Sequence, residues 1–269
     1  MEWLLPVLGI VYGALFIWLT VRIVNQPTQW RRSGRTAFFW LAPLIVVPCL
    51  LSLEPGGRNA SRRSQCKNNL KWIGLALHNY AETYGSFPPA YIADENGRPM
   101  HSWRVLILPF LDQAPLYNQY HFDEPWDGPN NSKLASTILA VFNCPSDDHG
   151  GTGNASTMTN YVAIVGPETA WPDGRATTFQ DISDGTSATL LVVEVANSGI
   201  HWMEPRDLHV VQMAPTVNAK SGQGISSRHT AGAHGLIADG AVRFVQESVA
   251  AEILRAWLTA HAGDESSNF

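Results

Sequence analysis

SRRSQCKNNLKWIGLALHNYAETYGSFPP, residues 61–89, decides the fold of this chain. Ser61 is a candidate N-cap, and Leu70, Ile73, Leu77, Tyr80 and Tyr84 recur every three or four positions. That spacing predicts a helix from Arg62 to Tyr84 with one buried stripe. Gly85 and Pro88-Pro89 end it, because proline cannot continue a helical ladder. Downstream, shorter helices are expected over Ser102–Leu111 and Lys133–Val141, with a loop rich in Asp, Asn and Pro between them at 112–131. The second half reads as sheet: strands at Tyr161–Val165 and Ala188–Val195, then Gly235–Ala238 and Ala241–Val245 around an Asp239-Gly240 turn of type I′. A last helix over Ser248–Thr259, capped by Ser248, carries Ile253, Leu254, Trp257 and Leu258 on one side. The class is α+β.

Upstream the chemistry changes. Trp3–Val24 is almost wholly apolar, and Ala37–Leu53 carries no charge. A bilayer core needs roughly 20 apolar residues as helix, so two spans, about 3–24 and 37–53, are expected. Trp3, Trp18, Trp30 and Trp40 lie near the run ends or in the link, where indole rings favour the interface. A cleaved signal peptide is the alternative for the first run, which lacks a basic start and a small-x-small cleavage site. The link between the runs holds Arg22, Arg31, Arg32 and Arg35 and no acid, which places it in the cytoplasm and both ends outside. Arg58, Arg62, Arg63, Lys67 and Lys71 beyond the second run oppose that bias. The chain thus divides into an anchor at 1–57, a folded domain at 61–262 and a tail at 263–269.

Only two of the 23 acidic residues, but five of the 18 basic ones, precede residue 61. The folded domain is therefore net acidic, which argues against nucleic acid as a partner. Of three cysteines, Cys49 falls in the second apolar run, leaving Cys66 and Cys144. Outside the cytoplasm two such thiols pair, and closing a loop of this length contributes up to about 4 kcal/mol. Two separate buried thiols are the alternative.

Candidate sites are few. His229, His234 and Asp239 could ligate a metal, although the hairpin turn explains Asp239-Gly240 without one. Asp147, Asp148, Asp181 and Asp184 are candidate Ca²⁺ ligands; none has EF-hand spacing, and Asx turns explain them equally well. No other cofactor is expected. Trp126 and Trp171 sit in Pro- and Asp-rich loops as candidate sugar platforms, whereas Trp103 and Trp257 read as core. No nucleophile elbow, phosphate loop, dinucleotide fingerprint or HExxH motif is present, so no catalytic residues are assigned and no enzyme is expected.

RRSQCKNNLKWIGLALHNYAETYGSFPPAY, SWRVLILPFLDQAPLYNQYHFDEPWDGPNN, FNCPSD, TNYVAIVG and DISDGTSATLLVVE follow one another in order. RHTAGAHGLIADGAVRFV closes the series with His229 ten positions ahead of Asp239-Gly240, nine residues lying between. Together they resemble a large bacterial family, domain of unknown function 1559, also labelled solute-binding-protein-like, with its H-x9-DG signature. Members of that family resemble type IV pilins and secretion-system pseudopilins. The resemblance implies a pilin-like domain, a long N-terminal helix on an antiparallel sheet, exposed outside the inner (cytoplasmic) membrane. Thr36-Ala37-Phe38-Phe39-Trp40 lacks the glycine cut site and glutamate of a prepilin leader, and Pro43, Pro48 and Pro55 interrupt a continuous helix. The expected protein is thus a multi-pass, non-enzymatic envelope protein with envelope or secretion-type partners, suited to an accessory role rather than a filament. An extracytoplasmic carbohydrate-binding module and a metal-dependent hydrolase are the alternatives.

Overall fold

A glycine in the middle of the first helix sets how that helix meets the sheet. The helix, α1, runs over Pro55–Tyr84, and Cys66, Leu70, Ile73, Leu77 and Ala81 form its buried stripe. Gly74 lies beside it, and a Cβ there would stand 2.7 Å from Leu236 Cδ1, so the helix rests directly on the sheet. Gly85, at φ 82°, ends the helix by donating its N–H to the Ala81 carbonyl at 2.8 Å.

The computed structural model describes residues 55–147, 156–219 and 223–261. The expected spans, Asp148 and the tail at 263–269 fall outside them. Among the described residues no helix is long and apolar enough to cross a membrane. After α1 come β1 (Tyr91–Ala93) and β2 (Pro99–Ser102), a small antiparallel hairpin, then α2 (Trp103–Leu106) and α3 (Ala114–Tyr117). Strands β3 (Tyr161–Val165), β4 (Leu190–Glu194), β5 (Leu208–His209), β6 (Gly232–Ile237) and β7 (Val242–Gln246) follow, and α4 (Ala251–Leu258) closes the domain. The sheet order is β5-β3-β4-β6-β7, antiparallel except for the short parallel pair of β3 with β5. The fold is α+β with a mixed sheet.

Strand periodicity builds two cores, one on each face of the sheet. Along β3, Tyr161, Ala163 and Val165 face α1, while Val162 and Ile164 join Leu254, Trp257 and Leu258 of α4 on the other side. In β4 Leu191 and Val192 both join the α1 core, because pairing with β6 shifts register between Leu190 and Val192.

Several expected boundaries move, each for a physical reason. Ser61 does not cap α1, because it lies inside a helix that already runs from Pro55. Tyr84 is 61% exposed, because the stripe continues through Ala81 instead. The expected helix at 102–111 splits into α2, capped by Ser102 Oγ, and a 3₁₀ turn over Leu108–Leu111 that contains Pro109. No α-helix spans 133–141, which holds only 3₁₀ turns at Asn131–Leu134 and Ala140–Phe142. Its carbonyls serve other partners: His201 Nε2 binds Ala135 O at 2.9 Å and Trp202 Nε1 donates to Thr137 O at 2.9 Å. Helix α4 starts at Ala251, with Ala250 at the N-cap and no side-chain cap, while Ser248 Oγ turns to Gln246. Ile253 stays 37% exposed, off the buried side of α4. The β6–β7 turn is closed by Gly240 N–H to Ile237 O at 2.9 Å. Of its residues Gly240 alone has positive φ, at 87°, whereas type I′ would also need Asp239 there.

Candidate functional site

Period-two alternation places His234 and Leu236 on the same face of β6, the face that meets α1. Across the ladder Glu194 ends β4, and its Oε2 accepts from His234 N at 2.7 Å and lies 2.8 Å from His234 Nδ1. His229, in the segment before β6, approaches from the other side, with Nε2 3.4 Å from Glu194 Oε1 and 3.6 Å from Cys144 Sγ. Cys144 is joined to Cys66 of α1 by a disulfide with Cα atoms 5.1 Å apart. The paired cysteines are therefore present as expected, and they clasp α1 to the segment ahead of the sheet.

The group is buried: Cys66 0%, Glu194 1%, His234 3%, Cys144 4% and His229 8% exposed. Burial by itself would raise the Glu194 carboxyl, but its contacts with His229 and His234 outweigh that and hold it below the ordinary value. Even so, Glu194 Oε1 has no hydrogen bond. An ionised oxygen left so in a protein interior is costly, and its position calls for a reason.

A shell of amides fixes this group. Asn160 Oδ1 accepts from Cys144 N at 2.7 Å, and its Nδ2 donates to Asp147 Oδ2 at 2.5 Å and Val195 O at 3.2 Å. Asn69 of α1 donates to Asn143 O at 2.8 Å, and Tyr161 Oη donates to Cys66 O at 3.3 Å. Outside the shell, Arg63 lies 3.7 Å over the Phe244 ring, whose edge contacts His234. A cleft of about 320 Å³ opens there, lined by Arg62, Arg63, Ser146, Arg228, His229 and Thr230.

The remaining candidate residues disperse. Of the proposed metal set, His229 and His234 do come together, around Glu194, while Asp239 Oδ1 accepts Ala241 N–H at 2.8 Å within the hairpin turn. Asp147 is held by Asn160 and by Asn197 N–H at 2.7 Å. Asp181 closes a capping box with Thr178, and the Asp184 N–H binds Ala260 O. Trp171 is not an exposed platform: it is 1% exposed, packs against Trp103 and donates Nε1 to Leu191 O at 2.8 Å. Trp126 is half-buried, stacked on His201 with ring centroids 5.5 Å apart. The two rings do not make one sugar-binding face.

Sequence reasoning missed Glu194 and the fully buried Arg104–Asp207 pair. A lone acid closing the apolar run Leu190-Leu191-Val192-Val193 was the available signal for Glu194. It gains meaning once His234 is placed at the facing position of the next strand.

A family model described as a protein of unknown function (DUF1559) matches residues 56–210 and 198–252. The chain belongs to this family. No curated protein and no solved structure matches the chain. The DUF1559 domain thus takes in α1, the disulfide, Glu194 and both histidines, so the buried cluster lies wholly inside the matched region.

Proposed function

We propose that this DUF1559 protein is a membrane-anchored, extracytoplasmic interaction or scaffold protein of the cell envelope, with a pilin-like domain and no catalytic role. The observation that carries this reading is the two-sidedness of α1. One face is closed onto the sheet and clasped by the disulfide, while on the other Trp72 is 58% and Leu75 51% exposed. Large apolar side chains grouped in water favour a protein contact. Trp72 borders a cleft of about 240 Å³ that Phe110, Leu111 and Val141 help to line.

The disulfide favours an oxidising compartment. The apolar runs Trp3–Val24 and Ala37–Leu53 favour a multi-pass inner-membrane anchor ahead of the domain. A long N-terminal helix laid on a largely antiparallel sheet supports the pilin-like description. The side chains with most chemical capacity, Glu194, His229 and His234, are buried, His229 alone of the three bordering a cleft, which supports a non-enzymatic role. Partners are then envelope or secretion-type proteins that meet the outer face of α1.

A topology reporter fused after Phe269, read with reducing and non-reducing gels of the full chain, tests this. The expected result is an extracytoplasmic C-terminus and a mobility shift on reduction. A cytoplasmic C-terminus with free thiols would overturn the reading.

A further inference from the structure

We propose that the Cys66–Cys144 clasp has a second form, held by metal: once a dithiol opens the disulfide, Cys66, Cys144, His229 and Glu194 bind one Zn²⁺-class ion. Sγ of both cysteines, an imidazole nitrogen of His229 and a carboxylate oxygen of Glu194 all lie within 4.8 Å of one another, and all four residues are buried. They come from α1, from the loop ahead of the sheet, from β4 and from the segment before β6, so the sheet and the amide shell keep them gathered without the S–S bond.

The donor set selects the ion. Two thiolates, one imidazole and one carboxylate suit a borderline-soft, four-coordinate cation such as Zn²⁺. Ca²⁺ and Mg²⁺ need six or more oxygens and are excluded here. An independent observation points the same way. Glu194 Oε2 is held by His234 through two contacts, while Oε1, in the same carboxylate, is buried without a hydrogen bond and faces His229 Nε2. This is how a monodentate ligand looks when its other oxygen is fixed by an outer partner. His229 Nε2 also faces both Cys144 Sγ and Glu194 Oε1, and one proton on that nitrogen serves only one of them well. A cation among the three satisfies all.

The exchange balances. The dithiol gives two electrons and two protons to the S–S bond, leaving two cysteine thiols and becoming a cyclic disulfide itself. Zn²⁺ then displaces both thiol protons, binding two thiolates, neutral His229 and ionised Glu194. With the disulfide closed the sulfurs are spent on each other and the site does not form. The same junction between α1 and the sheet is thus fastened by oxidation or by metal.

The test uses the full chain in detergent, reduced by a phosphine under anaerobic conditions and titrated with Co²⁺ as a spectroscopic stand-in for Zn²⁺. One Co²⁺ per chain should appear, with thiolate-to-cobalt charge transfer and the intense visible bands of a four-coordinate ion, bleached by Zn²⁺. The disulfide form should give neither signal. His229→Ala and Glu194→Gln should abolish the four-coordinate spectrum. His234→Gln, which loses only the outer partner, should keep the charge-transfer band but weaken binding roughly tenfold or more. A reduced chain that unfolds and regains native circular dichroism on adding metal also supports the site; one that stays unfolded with metal contradicts it. Two free thiols in a folded chain without charge transfer overturn the proposal, as does stoichiometric Co²⁺ indifferent to His229→Ala and Glu194→Gln.

Discussion

Two buried carboxylates of this domain, Asp207 and Glu194, sit in comparable isolation from solvent and are treated in opposite ways. Asp207 is saturated: Arg104 Nη2 contacts Oδ1 at 2.5 Å, Ala163 N–H donates to Oδ1 at 2.7 Å, and Trp103 Nε1 reaches Oδ2 at 3.1 Å. Arg104 in turn spends Nε on Tyr161 O and Nη1 on Ser102 Oγ. Burial lifts the Asp207 carboxyl above its ordinary value, against the pull of Arg104. Glu194 is saturated on one oxygen and bare of hydrogen bonds on the other, next to a disulfide and an imidazole. The first arrangement leaves nothing to bind, whereas the second keeps an acceptor in reserve. Burial of charge is therefore not the mark of a site in this fold; an unused lone pair is.

The comparison breaks most forcibly at Arg104. Arg104→Met should strand Asp207 as an uncompensated buried charge and cost about 3–5 kcal/mol in urea unfolding followed by tryptophan fluorescence. Adding Asp207→Leu should recover much of that loss, since an apolar pair of similar volume replaces a buried ion pair well. Next in size is the clasp. Cys66→Ser with Cys144→Ser removes a cross-link spanning 78 residues, and the oxidised protein should lose about 2–4 kcal/mol relative to the native chain.

Glu194 itself gives a smaller and pH-dependent effect. Glu194→Gln keeps the shape and should cost about 1–3 kcal/mol at neutral pH, through imperfect pairing with His229 and His234. Because the folded-state carboxyl is held below 4.5, protons bind the unfolded chain more readily. Its contribution is thus fully present above that pH and lost as pH falls through the folded value. Acid unfolding curves should show this loss in the native chain and less of it in Glu194→Gln. The smallest effect on stability belongs to the exposed face: Trp72→Ser should stay within about 0.5 kcal/mol while weakening any contact made by that surface of α1.

Local pattern made much of this architecture readable. Helix α1, strands β3 and β4 and the Asp239-Gly240 hairpin follow from periodicity and turn chemistry, and the Cys66–Cys144 link from there being two cysteines in the folded part. What escaped depended on distant partners. Arg104 meets Asp207 across 103 positions, Glu194 meets His234 across 40, and no window of sequence holds either pair. Trp171 looked exposed because its loop is polar, yet the fold turns its ring onto Trp103. The segment 133–141 looked helical because nothing nearby says that His201 and Trp202 will claim its carbonyls.

The most direct measurement of the central claim, that Glu194 holds an oxygen in reserve beside the clasp, is zinc-edge X-ray absorption on the reduced, Zn²⁺-loaded full chain. Two sulfur scatterers at about 2.3 Å and two nitrogen or oxygen scatterers at about 2.0–2.2 Å are expected, with one of the latter lost in Glu194→Gln. A shell of nitrogen and oxygen alone, or one unchanged by Glu194→Gln, would contradict it.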